Sequence, residues 1–238
     1  MVANERLDYG IDAPGQLRQL AIIAVAAVAV AILLSATGFG VFSIVFSVFG
    51  ALCALLAAMG IVASKFGKFR VRDELMSRIA WRGDERVLDV GCGHGLLLVA
   101  AAKRLTTGRA IGIDIWSQVD QGDNRPENTS RNARIEGVAD RIEIRDCDAR
   151  KLDFPDEFFD VVVSSLALHN IRDNVEREQA IREIIRVLKP GGQVAIYDIK
   201  RISEYRQIFL ASGMEQVQLS EPSYWYLMPT FILTAIKP

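Results

Sequence analysis

Arg86-Val87-Leu88-Asp89-Val90-Gly91-Cys92-Gly93-His94-Gly95 is the stretch that decides the fold of this chain. Its first half is an apolar run of the length of one strand. Its second half sets three glycines at alternate positions, a pattern that lets the backbone turn where a Cβ would not fit. Leu96–Leu105 follows with the composition of a helix. A strand that turns through glycines into a helix opens a βαβ unit. Working outward, Arg109–Asp114 reads as a second strand, Asn128–Gly137 as a helix and Arg141–Arg145 as a third strand. Val161–Ser165 is a continuous apolar-to-small run, suited to a central strand buried on both faces. Ala180, Ile181, Ile184, Ile185 and Leu188 recur at helical spacing. Lys189-Pro190-Gly191-Gly192 predicts the end of that helix and a turn into the strand Gln193–Tyr197. Strands near Glu215–Leu219 and Thr230–Ile236 close the unit. The alternation predicts an open, mostly parallel α/β sheet over residues 84–238, with helices on both faces.

The glycine spacing discriminates between cofactors. A dinucleotide loop reads GxGxxG, and its third glycine allows close helix packing beside a pyrophosphate. Here Gly91, Gly93 and Gly95 give GxGxG, and position 96 is Leu. Asp89 ends the strand two residues before the glycines, where a fixed carboxylate disfavours pyrophosphate and suits a cation. NAD fits poorly. S-adenosylmethionine, with an ammonium, a sulfonium and no phosphate, fits.

From residue 73 to about 236 the chain resembles the class I S-adenosylmethionine-dependent methyltransferases, through five motifs in order. The first is the glycine loop itself. Ile111-Gly112-Ile113-Asp114 is similar to the family's second-strand motif, Asp146-Cys147-Asp148-Ala149 to the loop after its third strand, and Phe159–Ser165 to its fourth strand. Arg186-Val187-Leu188-Lys189-Pro190-Gly191-Gly192 is similar to its helix-to-strand corner. The resemblance implies a Rossmann-like, doubly wound sheet of seven strands. It implies that Asp89, Gly91, Cys92, Gly93 and Gly95 cradle the cofactor and that Asp114, with Ile115 beside it, holds the ribose. It also implies that Asp148 accepts from the adenine amino group, that Ala149 offers a backbone contact to the ring, and that Ser164 lies beside the reacting methyl. Asp146 is an alternative to Asp148, and Trp116 is placed either against adenine or in a core or membrane-facing position.

The other half of the reading is membrane. Residues 19–64 contain no Asp, Glu, Lys or Arg. One straight helix of that length would reach about 69 Å at roughly 1.5 Å per residue, more than twice a hydrocarbon core of about 30 Å. The run therefore has to turn, and Ser35-Ala36-Thr37-Gly38-Phe39-Gly40 is its only stretch dense in glycine and hydroxyls. Two transmembrane helices are expected, Leu17–Leu34, a short span, and Val41–Ala63. The chain then divides into an N-terminal segment 1–16, a helical hairpin 17–64, a juxtamembrane segment 65–83 over the active site, and the catalytic domain 84–238. Arg6 and Arg18 before the hairpin, and Lys65, Lys68, Arg70 and Arg72 after it, place both ends in the cytoplasm by the positive-inside bias. This is the pattern of an integral protein of the inner or plasma membrane. Small residues at Ser43, Ser47 and Ala51 and at Gly50, Ala54 and Ala58 allow close helix approach, within the hairpin or between two copies of the chain.

Composition sets limits on the rest. The chain has 238 residues, 28 basic and 29 acidic, so no global field recruits nucleic acid. Its mean hydropathy of +0.20 is raised by the apolar run. Cys53, Cys92 and Cys147 have no metal-type spacing, and with only His94 and His169 no metal site is expected.

Methyl transfer to a neutral hydroxyl or acidic carbon needs a general base, and His169, just past the fourth strand, is the candidate. It serves either that role or the orientation of its loop, whereas His94 reads as a spacer touching cofactor or solvent. The loop Ile115–Arg125 is longer than a turn needs and either covers the cofactor or is a surface insertion. Tyr224-Trp225-Tyr226-Leu227-Met228 belongs either at a membrane interface or in the core. The expected activity is methylation of a lipophilic small molecule. Methylation of a soluble acceptor by a tethered enzyme, and a non-catalytic cofactor-binding protein, are the alternatives.

Overall fold

The computed structural model describes residues 6–118, 121–225 and 228–238. Two helices, α1 (Pro14–Ala36) and α2 (Gly40–Val62), form an antiparallel pair joined at Thr37–Phe39. Each has 23 residues, so the first span is longer than its sequence suggests. Pro14 starts α1 because its missing N–H would have no partner there. The seam is lined by Ala24, Ala27 and Ala31 against Gly50, Cys53 and Ala57. A Cβ on Gly50 would stand 3.1 Å from the Ala24 carbonyl oxygen, so glycine is what allows the helices this close. Of the small residues picked out in sequence, Gly50 faces the seam, whereas Ala51, Ala54 and Ala58 are exposed.

The second helix does not stop at its apolar end. A single π-helical turn, Ala63–Gly67, carries it into α3 (Lys68–Ser77), giving an unbroken helix over Gly40–Ser77. The hairpin is thus joined to the rest of the molecule by a rod.

The α/β unit contains β1 (Arg86–Val90), α4 (Leu96–Ala102), β2 (Arg109–Asp114), α5 (Pro126–Ile135), β3 (Ile142–Asp146), β4 (Phe159–Ser165), α6 (Asn174–Val187), β5 (Leu188–Asp198), α7 (Ile202–Ala211), β6 (Glu215–Leu219) and β7 (Phe231–Ile236). The seven strands order as β3-β2-β1-β4-β5-β7-β6, and β7 alone runs against its neighbours. Strand order reverses between β1 and β4, the topological switch where ligands bind in open α/β sheets. Side chains alternate between two apolar layers. Leu88, Val90 and Val162 join α6 and α7 on one face, while Val87, Val161 and Val163 join α3, α4 and α5 on the other. The Lys-Pro-Gly-Gly corner is tighter than the sequence suggests. Helix α6 ends at Val187 and β5 begins at Leu188, with a register shift in its pairing to β4 between Phe159 and Val161.

Candidate active site

The glycine loop lies at the carboxyl end of β1, and all three glycines have positive φ: 73°, 50° and 84° at Gly91, Gly93 and Gly95. A Cβ on Gly91 would fall 2.3 Å from the Ala167 Cβ, which shows how closely the loop after β4 packs onto this turn. The N–H groups of Gly91 and Cys92 both donate to the Ile113 carbonyl, at 2.8 and 3.0 Å. The Cys92 thiol is buried, its pKa pushed well up by desolvation and by the charges of Asp89 and Asp114, so it is inert. It packs beneath Gly112, whose absent Cβ would lie 2.9 Å from Sγ.

Asp89 is only 1% exposed, and its Oδ2 has no hydrogen-bond partner. Burial, with a contribution from the Asp114 charge, pushes its pKa up to about 8, against the opposing Leu98 N–H. An orphaned carboxylate oxygen beside a turn with no room for side chains fits a cationic ligand group, such as the ammonium of S-adenosylmethionine.

Asp114, at the end of β2, accepts from the Gly93 N–H at 2.8 Å, the Trp116 N–H at 2.6 Å and Asn124 Nδ2 at 3.1 Å. The loop after β2 therefore folds back onto the glycine turn. Gln121 Oε1 accepts from the His94 N–H at 3.2 Å in the same way. Val119 and Asp120 lie outside the described residues. Trp116, with φ of 57°, donates its indole N–H to Asp146 and so ties the ends of β2 and β3 together. Asp148 is gripped by Arg150, whose guanidinium holds its carboxyl below the usual carboxylate range. An adenine amino group there would share that carboxylate with Arg150. Ala149 is partly buried against the core and Ile115 is exposed. The Ser164 hydroxyl donates to the Val90 carbonyl at 2.8 Å, fastening β4 to β1.

His169 sits on a 3-10 turn, Leu168–Asn170, just past β4. Its Nδ1 is 2.6 Å from Oδ1 of Asp198, bent away from a straight hydrogen bond, and its N–H donates to Oδ2 at 3.2 Å. Asp198 is fully buried at the end of β5, where the Ile199 N–H (2.7 Å) and the Tyr205 hydroxyl (3.2 Å) also donate to it. Burial, together with contact with this carboxylate, pushes the Tyr205 phenol well above its usual range. The buried Arg177 guanidinium donates to the Ile171 carbonyl at 2.5 Å and to Glu204 at 2.9 and 3.1 Å, which fixes the chain just after the His169 turn. Leu166, with φ of 54°, holds a left-handed conformation uncommon for a bulky residue, at the same sheet edge.

The largest departure from the sequence reading is at His94. It is not a spacer: it is 3% exposed, with Nδ1 3.1 Å from the Asp8 carbonyl and Nε2 3.2 Å from the Gly122 carbonyl. Residues 8–12 form a strap across the glycine turn. Asn132 pairs with both the N–H and the carbonyl of Asp8. Gln121 Nε2 donates to the Tyr9 carbonyl at 3.1 Å, and Lys68 Nζ donates to the same oxygen at 2.7 Å and to Gly10 at 2.5 Å. The Asp12 N–H donates to Ser64 Oγ at 2.7 Å. Burial lowers the Lys68 pKa, which the charges of Asp12 and Asp8 oppose.

Fold and site together define a Rossmann-like domain with a glycine turn and buried polar groups gathered at the carboxyl ends of β1, β2 and β4. Residues 88–196 match a family model described as a methyltransferase domain. Residues 88–196 are therefore similar to methyltransferase domains and carry their Rossmann-like fold. Relatives include the ubiquinone/menaquinone biosynthesis C-methyltransferase UbiE of Pseudomonas entomophila, 37% identical over 61% of this chain and 57% of its own. The 27-O-demethylrifamycin SV methyltransferase of Amycolatopsis mediterranei is 33% identical over 54% of this chain and 44% of its own. The chain thus spans about half the length of these curated relatives. Among solved structures, the [4+2]-cyclase SpnF superposes with a TM-score of 0.60 at 23% identity, over 71% of this chain and 80% of its own. Its name shows that this fold alone does not fix the reaction.

Proposed function

We propose that the protein is a membrane-anchored methyltransferase that moves the methyl group of S-adenosylmethionine to a lipophilic small molecule. The observation that carries this reading is the Tyr9 carbonyl, held at once by Lys68 of the rod and by Gln121 of the cofactor-loop network. Asp8, which touches His94, and Asp12, which touches Ser64, are four residues apart, so the span between them is at most about 14 Å. The glycine turn is therefore close to the place where the apolar hairpin ends. Helices α1 and α2 are long and apolar enough to cross a bilayer, and only 17% of each apolar window is buried, unlike the core helix of a soluble protein. The charged flanks support a cytoplasmic position for the catalytic domain through the positive-inside bias. Two curated relatives are described as acting in ubiquinone/menaquinone biosynthesis or on demethylmenaquinone, and a substrate class of that lipophilicity suits a site held at the membrane surface.

Bound S-adenosylmethionine supplies an electrophilic methyl carbon and leaves as S-adenosylhomocysteine. The chain's own part is positioning and proton handling. Asp89 neutralises the ligand's ammonium, Asp114 receives the ribose hydroxyls, and the packed loops after β2 and β4 exclude water. His169, oriented by Asp198, takes the proton from the acceptor hydroxyl or acidic carbon as its new bond to methyl forms.

The test uses full-length protein with methyl-labelled S-adenosylmethionine and whole-cell extract, separated afterwards into organic, aqueous and protein fractions. Label in the organic fraction is the expected result. Label confined to the aqueous fraction would reduce the hairpin to a tether.

A further inference from the structure

The loop between β6 and β7 is not explained by the domain's core or by its site. The interface-or-core alternative for this aromatic cluster is resolved toward exposure at its described members. Tyr224 is 65% exposed, Trp225 47% and Met228 42%. Tyr226 and Leu227 lie outside the described residues. The loop is nevertheless held in a defined place. A Cβ on Gly67, in the π turn, would be 3.3 Å from the Trp225 Cβ, so the Trp225 backbone and Cβ rest on a helix position that has no side chain. The Arg70 guanidinium covers the indole at 4.8 Å. Phe66, in the same turn, is 66% exposed. Exposed Lys65 and Arg70 flank the aromatics, and Glu221 is the one acid between Ser220 and Pro229.

The depth of this cluster follows from helix geometry. Gly67 is five residues beyond Val62, the last apolar residue of α2. At roughly 1.5 Å per residue that is about 7 Å along the rod. The headgroup layer on each side of a hydrocarbon core is about 5–7 Å thick. Tryptophan and tyrosine favour this layer because they pair an apolar ring with a polar edge, and Lys and Arg next to them meet anionic headgroups.

We infer that Tyr224, Trp225 and Met228, with Phe66, Lys65 and Arg70, form a second membrane contact that seats the catalytic domain on an anionic bilayer surface. The inference rests on the membrane anchoring proposed above and deepens it. A hairpin alone is one attachment, about which a domain can rotate. A second contact on another loop fixes which face of the domain meets the lipid. The occupant is lipid rather than a second copy of the chain because the patch continues the apolar surface of α2 and carries the cationic fringe that anionic headgroups complement.

The experiment uses full-length protein reconstituted in vesicles containing phosphatidylglycerol, with bromine on the upper acyl chain as a quencher of tryptophan emission. Flotation with the vesicles is scored in the same samples. The expected result is flotation, quenching of the wild-type emission, loss of that quenching in Trp225→Phe, and weaker quenching in Arg70→Gln or without phosphatidylglycerol. Flotation with equal quenching in wild type and Trp225→Phe, or with none in either, overturns the second contact and leaves the anchor standing. Failure to float overturns the anchor and the contact together. Concentration-dependent dimers whose formation abolishes the Trp225 quenching also overturn the inference, in favour of a protein partner.

Discussion

The hairpin and the central sheet are made of the same residues and treat them in opposite ways. In β4, Val161, Val162 and Val163 are completely buried, while in α1 and α2 Ile32, Val41 and Ile44 are 66–75% exposed. A valine or isoleucine gains about 1.5–3 kcal/mol on leaving water, so a hairpin of them left uncovered favours an apolar partner. One chain therefore carries two apolar surfaces: the domain buries its own, and the hairpin's stays uncovered, as the proposed bilayer anchor requires. The rod Gly40–Ser77 and the strap Asp8–Asp12 are where the two meet.

The sharpest way to break that contrast is the same change in each region. Val162→Asp places an unpaired charge in the sheet and should cost about 4 kcal/mol or more, leaving little folded domain. Ile44→Asp should leave the domain's melting temperature unchanged, because its cost of about 3 kcal/mol falls on insertion and appears as protein released from the membrane fraction. A common loss of melting temperature in both variants would mean that the hairpin is part of the soluble core.

Within the domain, His169→Ala should lower kcat by about 10²–10⁴-fold, the usual contribution of a general base, with the cofactor Kd unchanged. Asp198→Asn should give a smaller loss in the same direction and a displaced pH–rate profile, since Asp198 positions the imidazole and touches no substrate. A loss confined to KM in both would assign His169 to the pocket wall.

Asp89 sharpens the contrast by pH. Its folded pKa is raised, so it favours the folded state below the ordinary carboxylate range. That contribution is lost as pH climbs toward about 8, where the buried group is forced to ionise. A bound ammonium relieves this cost. Stabilisation by S-adenosylhomocysteine should therefore grow between pH 6 and 8, with affinity improving by at most about tenfold per pH unit, and level off above. Asp89→Asn should bind more weakly and show no such slope.

Much of the cofactor side was legible in the sequence because its requirements are local. Gly91, Gly93 and Gly95 answer to backbone conformation, and Asp89 and Asp114 to strand ends, so each announces itself within a few residues. Asp198 stands at a strand end too, but it was missed in the sequence because its partner His169 lies 29 residues away on the neighbouring strand's loop. The strap was not legible. Its contacts join Asp8 to His94 and Tyr9 to Glu136 across 86 and 127 residues, and Lys68 looks in sequence like one more cation flanking a span. Only the fold shows that this lysine is buried against two carbonyls.

A site held at the membrane implies that the acceptor arrives from the bilayer. The most direct test is the initial rate of the full-length enzyme on a long-chain demethylated quinone precursor in vesicles, at fixed total acceptor, as inert phospholipid is added. The rate should fall as the acceptor's mole fraction in the membrane falls. A rate that follows total acceptor and ignores the added lipid would contradict it.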